Sequence, residues 1–185
     1  MSHSNRSVCV FCGASDGRNP DLRGAAEQVG GMLARNHWRL VYGAGDVGLM
    51  GAVARGAGQR GGSRFGVIPQ HLLEREAARR DLSTLVVTET MHERKKVMFT
   101  NSDAVVVLPG GAGTLDEFFE VLTWRQLGLH RKPILLLNIA GCWDPLLALL
   151  DSVIANGFAR PSLREFVTVC DSVTALEAAL QTEFE

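Results

Sequence analysis

The side chains best suited to chemistry lie in two short stretches near the middle of the chain. The first is the run MHERKK at 91–96, and the second is GGAGTLDE at 110–117. The carboxylate of Glu117 could stabilise positive charge that develops on a substrate or orient a water molecule. The planar guanidinium of Arg94 could hold phosphate or sugar oxygens. Together they suit hydrolysis of a phosphate-bearing substrate.

The second stretch also has the features of an anion site. Gly110, Gly111 and Gly113 let the backbone approach a ligand closely, and free N–H groups at the start of the next helix attract an anion. Thr114 lies at the predicted helix start, where its hydroxyl could donate to a phosphate. Because the run lacks the G-K-[ST] ending of a P-loop, we expect it to hold a single phosphate.

Both stretches also have purely structural explanations. Thr114 as N-cap and Glu117 at the third helical position would form a capping box, and spacing alone does not separate this role from catalysis. Arg94 and Lys95 could lie on a solvated helix face. These alternatives stay open until the tertiary structure is known.

The elements that must position these residues alternate along the chain. Apolar β-rich runs predict strands at Val8–Cys12, Leu40–Tyr42, Phe65–Ile68, Leu85–Thr88, Ala104–Leu108, Ile134–Asn138 and Phe166–Cys170. Helical spacing predicts helices at Asp21–Trp38, Val47–Gln59, Met91–Thr100, Thr114–Leu127, Trp143–Asn156 and Val173–Thr182. The charged segment Leu73–Arg80 is expected to be a solvated helix or loop.

This alternation predicts an α/β fold. Runs such as AVVVL and ILLL are typical of strands buried on both faces, which favours a parallel sheet. We predict a doubly wound, Rossmann-like parallel sheet of about seven strands with helices on both faces. No break in composition divides the chain, so we expect one domain over residues 1–185.

Glycine-rich turns follow three of the predicted strands: FCGASDG with Gly13, YGAGDVGLMG with Gly45, and LPGGAGT. Ligands bind beyond the carboxyl ends of such strands, so these turns predict a binding site at one edge. The second turn also matches the dinucleotide fingerprint G-x-G-x-x-G. However, it follows the second strand, and GVIPQH lacks the acidic residue expected about 20 residues later. Dinucleotide binding is therefore the weaker alternative.

Composition argues against several other classes of protein. The formal net charge is -1 and the 19 basic residues are dispersed, so nucleic-acid polymers are not expected partners. No apolar run approaches the roughly 20 residues that cross a bilayer, and the N-terminal run is too short for a signal peptide. We therefore expect a cytoplasmic protein with no membrane partner.

The cysteines do not indicate redox or metal chemistry. Cys9 and Cys12 form a C-x-x-C, but it lies inside a strand-like run rather than at a helix start, so we interpret both as core thiols. No second cysteine or histidine pair completes a zinc site, and we expect no metal.

The two central motifs resemble those of the Lonely Guy (LOG) family, the cytokinin riboside 5′-monophosphate phosphoribohydrolases that are often mislabelled lysine decarboxylases. The resemblance rests on MHERK at 91–95 and PGGAGTLDE at 109–117, continued by EVLTWRQLG at 120–128, with VFCGAS and GAGDVGLMG upstream. It implies that a nucleoside monophosphate, adenosine 5′-monophosphate or its N6-modified form, is hydrolysed to free cytokinin or adenine and ribose 5-phosphate. It also implies a homodimer without cofactor or metal.

The resemblance assigns the catalytic roles to Arg94 and Glu117. It maps substrate contacts onto Lys95, the loop 111–114, Thr123 and Glu76, and the glycine turns add Gly13, Gly45 and Gly110. Two departures from the family pattern, Ala44 in place of a glycine and Ala14 in place of a serine, bear on substrate preference more than on activity.

Two other functions are open at this point. A non-catalytic carrier of a nucleotide or of molybdenum cofactor, with the same fold, would use similar glycine turns. A pyridoxal-phosphate decarboxylase would need a Schiff-base lysine. The three lysines are Lys95, Lys96 and Lys132, and nothing around them resembles a pyridoxal site.

Overall fold

The computed structural model describes residues 6–73 and 82–185. Its strands are β1 (Ser7–Phe11), β2 (Arg39–Tyr42), β3 (Arg64–Pro69), β4 (Thr84–Thr88), β5 (Ala104–Val107), β6 (Ile134–Leu137) and β7 (Val167–Cys170). They form one sheet in the order β4-β3-β2-β1-β5-β6-β7, and every neighbouring pair is parallel. The predicted parallel sheet is thus confirmed.

The helices are α1 (Asp21–Arg35), α2 (Gly48–Gly58), α3 (Gln70–Leu73), α4 (Met91–Thr100), α5 (Ala112–Gln126), α6 (Asp144–Ala155), α7 (Ser162–Glu165) and α8 (Val173–Phe184), with a 3₁₀ turn at Ile139–Gly141. The six predicted helices are all present. The pattern missed α3 and α7 because four residues are too few to show a helical period.

Alternate residues of the buried strands face two separate cores. Val8 and Val10 of β1 pack with α1, α2 and α8, whereas Cys9 and Phe11 pack with α4, α5 and α6. The same alternation continues in β5 and β6, whose residues are all at most 1% exposed. Burial on both faces explains why these strands read as continuous apolar runs.

The order of the strands reverses between β1 and β5. From β1 the chain moves to β2 on one side, and from β5 it moves to β6 on the other, so the turns after β1 and β5 diverge and leave a crevice. Ligands in doubly wound sheets bind at this switch point. Two of the three glycine-rich turns, those containing Gly13 and Gly111, flank it.

The start of α5 differs from the prediction. The helix begins at Ala112 with Gly111 as N-cap, two residues before the predicted Thr114, and no side chain caps it. Thr114 is the third helical residue and is 4% exposed. The capping-box interpretation of Thr114 and Glu117 is therefore wrong, because glycine in an extended conformation starts the helix instead.

The C-x-x-C residues are core thiols, as predicted. Cys9 lies in β1 and Cys12 directly follows it, and both are buried and free. Burial raises the pKa of each thiol well above its ordinary value. Thiols held protonated in this way are poor nucleophiles, which argues against a reactive redox pair.

None of the helices in the described part of the chain is long and apolar enough to cross a bilayer. Residues 74–80 of the charged segment Leu73–Arg80 lie outside the described residues, and Leu73 itself ends α3.

Candidate active site

A cavity of about 440 Å³ opens at the switch point. Its walls come from the end of β1, the turns after β1, β2 and β5, one side of α4, the start of α5, and single residues of α2 and α3. The structure brings together six of the residues predicted from sequence: Gly13, Arg94, Gly111, Gly113, Thr114 and Glu117.

The N-terminus of α5 forms one wall of the cavity. Intrahelical bonding begins with the amide of Leu115, which donates to the carbonyl of Gly111 at 3.1 Å. The amides of the preceding three residues have no helical acceptor, and the dipole of a 15-residue helix adds positive potential there. Side chains added at Gly111 or Gly113 would meet no atom within 4 Å, so the backbone here is open to a ligand.

Gly110 acts on this wall indirectly. A Cβ at Gly110 would clash with the side chain of Thr114 and approach the amide nitrogen of Gly13 to 2.9 Å. That amide donates to the carbonyl of Pro109 at 2.9 Å, which joins the turns after β1 and β5. Gly110 therefore allows the two turns to pack closely rather than facing the cavity itself.

Glu117 lies one turn along α5 on the cavity wall and is partly buried. Burial raises the pKa of its carboxyl from 4.5 to about 7, and the opposing charge of Arg94 limits the rise. Asp116 and Glu120 raise the pKa further, and Lys95 lowers it. A carboxyl of this kind ionises near neutral pH, which is typical of catalytic acids and bases.

Arg94 is 5% exposed, although its neighbours in sequence are charged. Its Nη2 donates to the carbonyl of Gly43 at 2.7 Å and its Nε donates to the carbonyl of Val67 at 3.1 Å. These acceptors lie at the carboxyl end of β2 and within β3. Because backbone carbonyls hold two of its nitrogens, the guanidinium has a fixed direction on the cavity wall.

The second glycine-rich turn positions other groups. A Cβ at Gly43 would clash with Nη2 of Arg94, and a Cβ at Gly48 would clash with the backbone of Ala14 and Ser15. Gly45 is buried, its amide donates to Sδ of Met50 at 3.2 Å, and it does not line the cavity. The glycine-rich turn after β2 therefore packs closely against both Arg94 and the glycine-rich turn after β1.

Two further predicted residues, Lys95 and Thr123, lie away from this cavity. Lys95 is 5% exposed and its Nζ pairs with Asp116 and Glu120, away from the cavity-lining residues. Thr123 is exposed on α5 and borders a separate groove. Glu76 lies outside the described residues.

Sequence reasoning missed several residues that shape this site. The cavity is also lined by Cys12, Ser15, Gly43, Met50, Leu72, Met91 and Met98, and by Ala14, at which the sequence predicted an effect on substrate preference. Helix α4 begins with a capping box in which the Thr90 hydroxyl accepts from the Glu93 amide at 3.2 Å and the Glu93 carboxylate accepts from the Thr90 amide. The spacing T-x-x-E at 90–93 signalled this start, which sets where Arg94 lies on the helix.

The chain matches one family model and several curated proteins over most of its length. A family model described as "Possible lysine decarboxylase" matches residues 50–180. The cytokinin riboside 5′-monophosphate phosphoribohydrolase of Rhodococcoides fascians is 45% identical over 178 residues, covering 96% of this chain and 90% of the relative. The enzyme of the same name, LOG7, of Arabidopsis thaliana is 41% identical over 180 residues, covering 97% and 82%.

Solved structures share the fold. The molybdenum cofactor carrier protein of Chlamydomonas reinhardtii superposes with a TM-score of 0.76 at 21% identity, covering 97% of this chain and 98% of that one. The molybdenum cofactor binding protein of Rippkaea orientalis gives a TM-score of 0.75 at 22% identity over the whole of both chains. At this identity the likeness establishes the fold alone.

Proposed function

The chain belongs to the LOG family of cytokinin riboside 5′-monophosphate phosphoribohydrolases, and on that basis we propose that it is a nucleotide N-glycosidase. It hydrolyses adenosine 5′-monophosphate or its N6-modified forms to the free base and ribose 5-phosphate. The observation that carries this proposal is that Glu117 and Arg94 line one cavity together with the open N-terminus of α5, with Glu117 one helical turn along that helix.

The phosphate binds at the N-terminus of α5. The amides of Ala112, Gly113 and Thr114 precede the first intrahelical hydrogen bond and attract an anion, and no side chain at Gly111 or Gly113 blocks its approach. A carboxylate one turn along the helix then lies at the depth of the ribose. Binding energy from the phosphate, remote from the reacting bond, thus orients the sugar.

Glu117 stabilises the positive charge that develops on the ribose as the bond between C1′ and the base breaks. The same carboxylate orients the water that adds to C1′. Arg94, which lies on α4 and lines the same cavity, holds phosphate or ribose oxygens through its guanidinium. The reaction requires Glu117 to be ionised, so activity falls as the pH drops below its pKa of about 7.

The remaining wall suits a nucleobase. Met50, Met91 and Met98 line it, and thioether side chains adapt their shape to aromatic or apolar groups. The cavity volume of about 440 Å³ falls within the range of small-molecule sites, roughly 300–1,000 Å³. Such a wall accommodates substituents on N6 of the base.

Decarboxylation of lysine has little support in this cavity. None of the three lysines is among the described residues that line it. Burial acts to lower the pKa of Lys95, but its bonds to Asp116 and Glu120 outweigh this effect and raise the pKa above its ordinary value. Its ammonium therefore stays protonated, whereas a Schiff base requires a neutral amine.

The active protein is a homodimer. Thr123 borders a groove of about 320 Å³ whose lining is almost wholly apolar and includes Leu149 and Phe158. Phe158 is 84% exposed and Leu149 is 51% exposed. Apolar side chains exposed together in this way are typical of surfaces that a partner covers, and a second copy of the chain would cover them and bring Thr123 into the interface between the two copies.

Catalysis proceeds without cofactor or metal, and the cytoplasm is the expected location.

The proposal is tested by incubating the purified protein with adenosine 5′-monophosphate and its N6-isopentenyl form and separating the products by chromatography. We expect free base and ribose 5-phosphate, with release reduced at least about 100-fold in Glu117→Gln and unchanged in the exposed control Glu89→Gln. Tight nucleotide binding without base release would identify a carrier instead. Including guanosine and cytidine monophosphates in the same assay determines base preference.

A further inference from the structure

A cluster of three charged side chains joins α4 to α5. Nζ of Lys95 lies 2.9 Å from Oδ2 of Asp116 and 3.0 Å from Oε2 of Glu120. The Lys95 side chain is only 6% exposed, compared with 61% for Asp116 and 23% for Glu120. This is the cluster Lys95–Asp116–Glu120.

The cluster lies next to both candidate catalytic residues in sequence. Lys95 directly follows Arg94 on α4, and Asp116 directly precedes Glu117 on α5. The ammonium reaches across from one helix to carboxylates one turn apart on the other, so it bridges α4 and α5 at two points. The rings of Phe99 and Trp124 make a second contact between these helices, with centroids 5.1 Å apart. A buried ammonium that lost these partners would be left uncompensated, which favours this one arrangement.

We propose that Lys95 is a positioning residue, not a substrate contact: its paired ammonium holds α4 against α5 so that Arg94 and Glu117 face the same cavity. This inference rests on the proposed hydrolysis. It accounts for a lysine that the family pattern places among the substrate contacts and that this structure places beside carboxylates.

The same cluster determines the charge around Glu117. The groups that face Glu117 are Arg94 and Lys95 on α4, Asp116 and Glu120 on its own helix, and the protonated thiols of Cys9 and Cys12 on the β1 side. Lys95 favours the ionised form of Glu117, whereas Asp116 and Glu120 oppose it. Removing the ammonium should therefore raise the pKa of Glu117, whereas removing one carboxylate should lower it.

The test compares Lys95→Met, Asp116→Asn and the double variant with wild type, using Lys96→Met as the control. Lys96 is the exposed neighbour on the same helix. We measure kcat, KM and the pH at which kcat/KM falls to half, which reports the free enzyme. Lys95→Met should raise the half-activity pH and lower kcat with little change in KM. Asp116→Asn should lower the half-activity pH, and the double variant should have a half-activity pH between those of the two single variants.

The expected size can be worked from the titration of one carboxyl. If the half-activity pH rises by about one unit from a value near 7, the ionised fraction at pH 7 falls about fivefold, and kcat/KM falls with it. Lys95→Arg keeps the charge and should remain close to wild type. Lys96→Met should not move the profile.

Two results would overturn the inference. One is a higher KM in Lys95→Met with an unchanged kcat and pH profile, since this identifies a substrate contact. The other is a shift in the same direction for Lys95→Met and Asp116→Asn. A carboxyl-carbon NMR titration of Glu117, assigned by its loss in Glu117→Gln, decides the electrostatic part even if wild type releases no base. In that case the proposed function alone fails.

Discussion

Replacing Glu117 with glutamine should make the protein more stable at alkaline pH while abolishing its activity. The pKa of Glu117 is raised from 4.5 to about 7 by burial. The folded protein therefore binds this proton more tightly than the unfolded chain does. Between pH 4.5 and 7 the unfolded chain has lost the proton and the folded chain has kept it, so folding stability falls as the pH rises through this window.

The size of the effect follows from the same shift. A difference of about 2.5 pH units corresponds to about 3 kcal/mol at 1.36 kcal/mol per unit. Because the carboxyl keeps contact with the cavity, solvent reduces this value, and we expect about 2 kcal/mol. Glu117→Gln carries no ionisation, so its free energy of unfolding should be close to that of wild type near pH 4.5 and higher by about 2 kcal/mol at pH 8.5.

Urea denaturation of both proteins at several pH values between 4.5 and 8.5 measures this difference, and base release is assayed in the same preparations. The exposed control Glu89→Gln should differ from wild type by a small amount that does not change with pH. The reasoning is refuted if the stability difference between Glu117→Gln and wild type is the same at both ends of the range. It is also refuted if the variant is the less stable protein at pH 8.5.

Two other substitutions test how the site and the assembly are built. Gly43→Ala should lower kcat/KM at least about tenfold and destabilise the fold by about 1–3 kcal/mol, because the new methyl displaces the Arg94 guanidinium. Gly24→Ala, where a methyl meets nothing within 4 Å on α1, should slightly stabilise the protein, and equal kinetic losses in both variants would contradict this account. Phe158→Ser should shift the protein from dimer to monomer in light scattering, whereas Val169→Thr, on the outer strand of the sheet, should not. A dimer that survives Phe158→Ser would place the interface elsewhere.

Sequence alone identified most of the elements because their signals are local. Strands such as β5 and β6 are runs of apolar residues, and helices such as α1 show one apolar face, so each can be recognised within a short window. The family motifs likewise occupy short continuous stretches, and the family assignment they predicted is confirmed by the matched relatives. The ends of elements were predicted less accurately: α5 begins at Ala112, with Gly111 as its N-cap, rather than at Thr114.

Tertiary structure alone decided how the charged residues are used. Arg94 and Lys95 are adjacent on a helix that a charge pattern assigns equally well to solvent, yet both are buried. Arg94 is held by carbonyls of Gly43 and Val67, which lie 51 and 27 residues away, and Lys95 is held by carboxylates on α5.

The sequence by itself thus determined the succession of strands and helices along the chain, the glycine-rich turns and the family, because a short run of residues is enough to recognise each of them. Only the tertiary structure decided the direction of the Arg94 side chain and the raised pKa of Glu117. It also showed that Gly45 does not line the cavity. The physical reason is that burial and the partners of a charge depend on segments that are distant in the chain and meet only when the sheet forms.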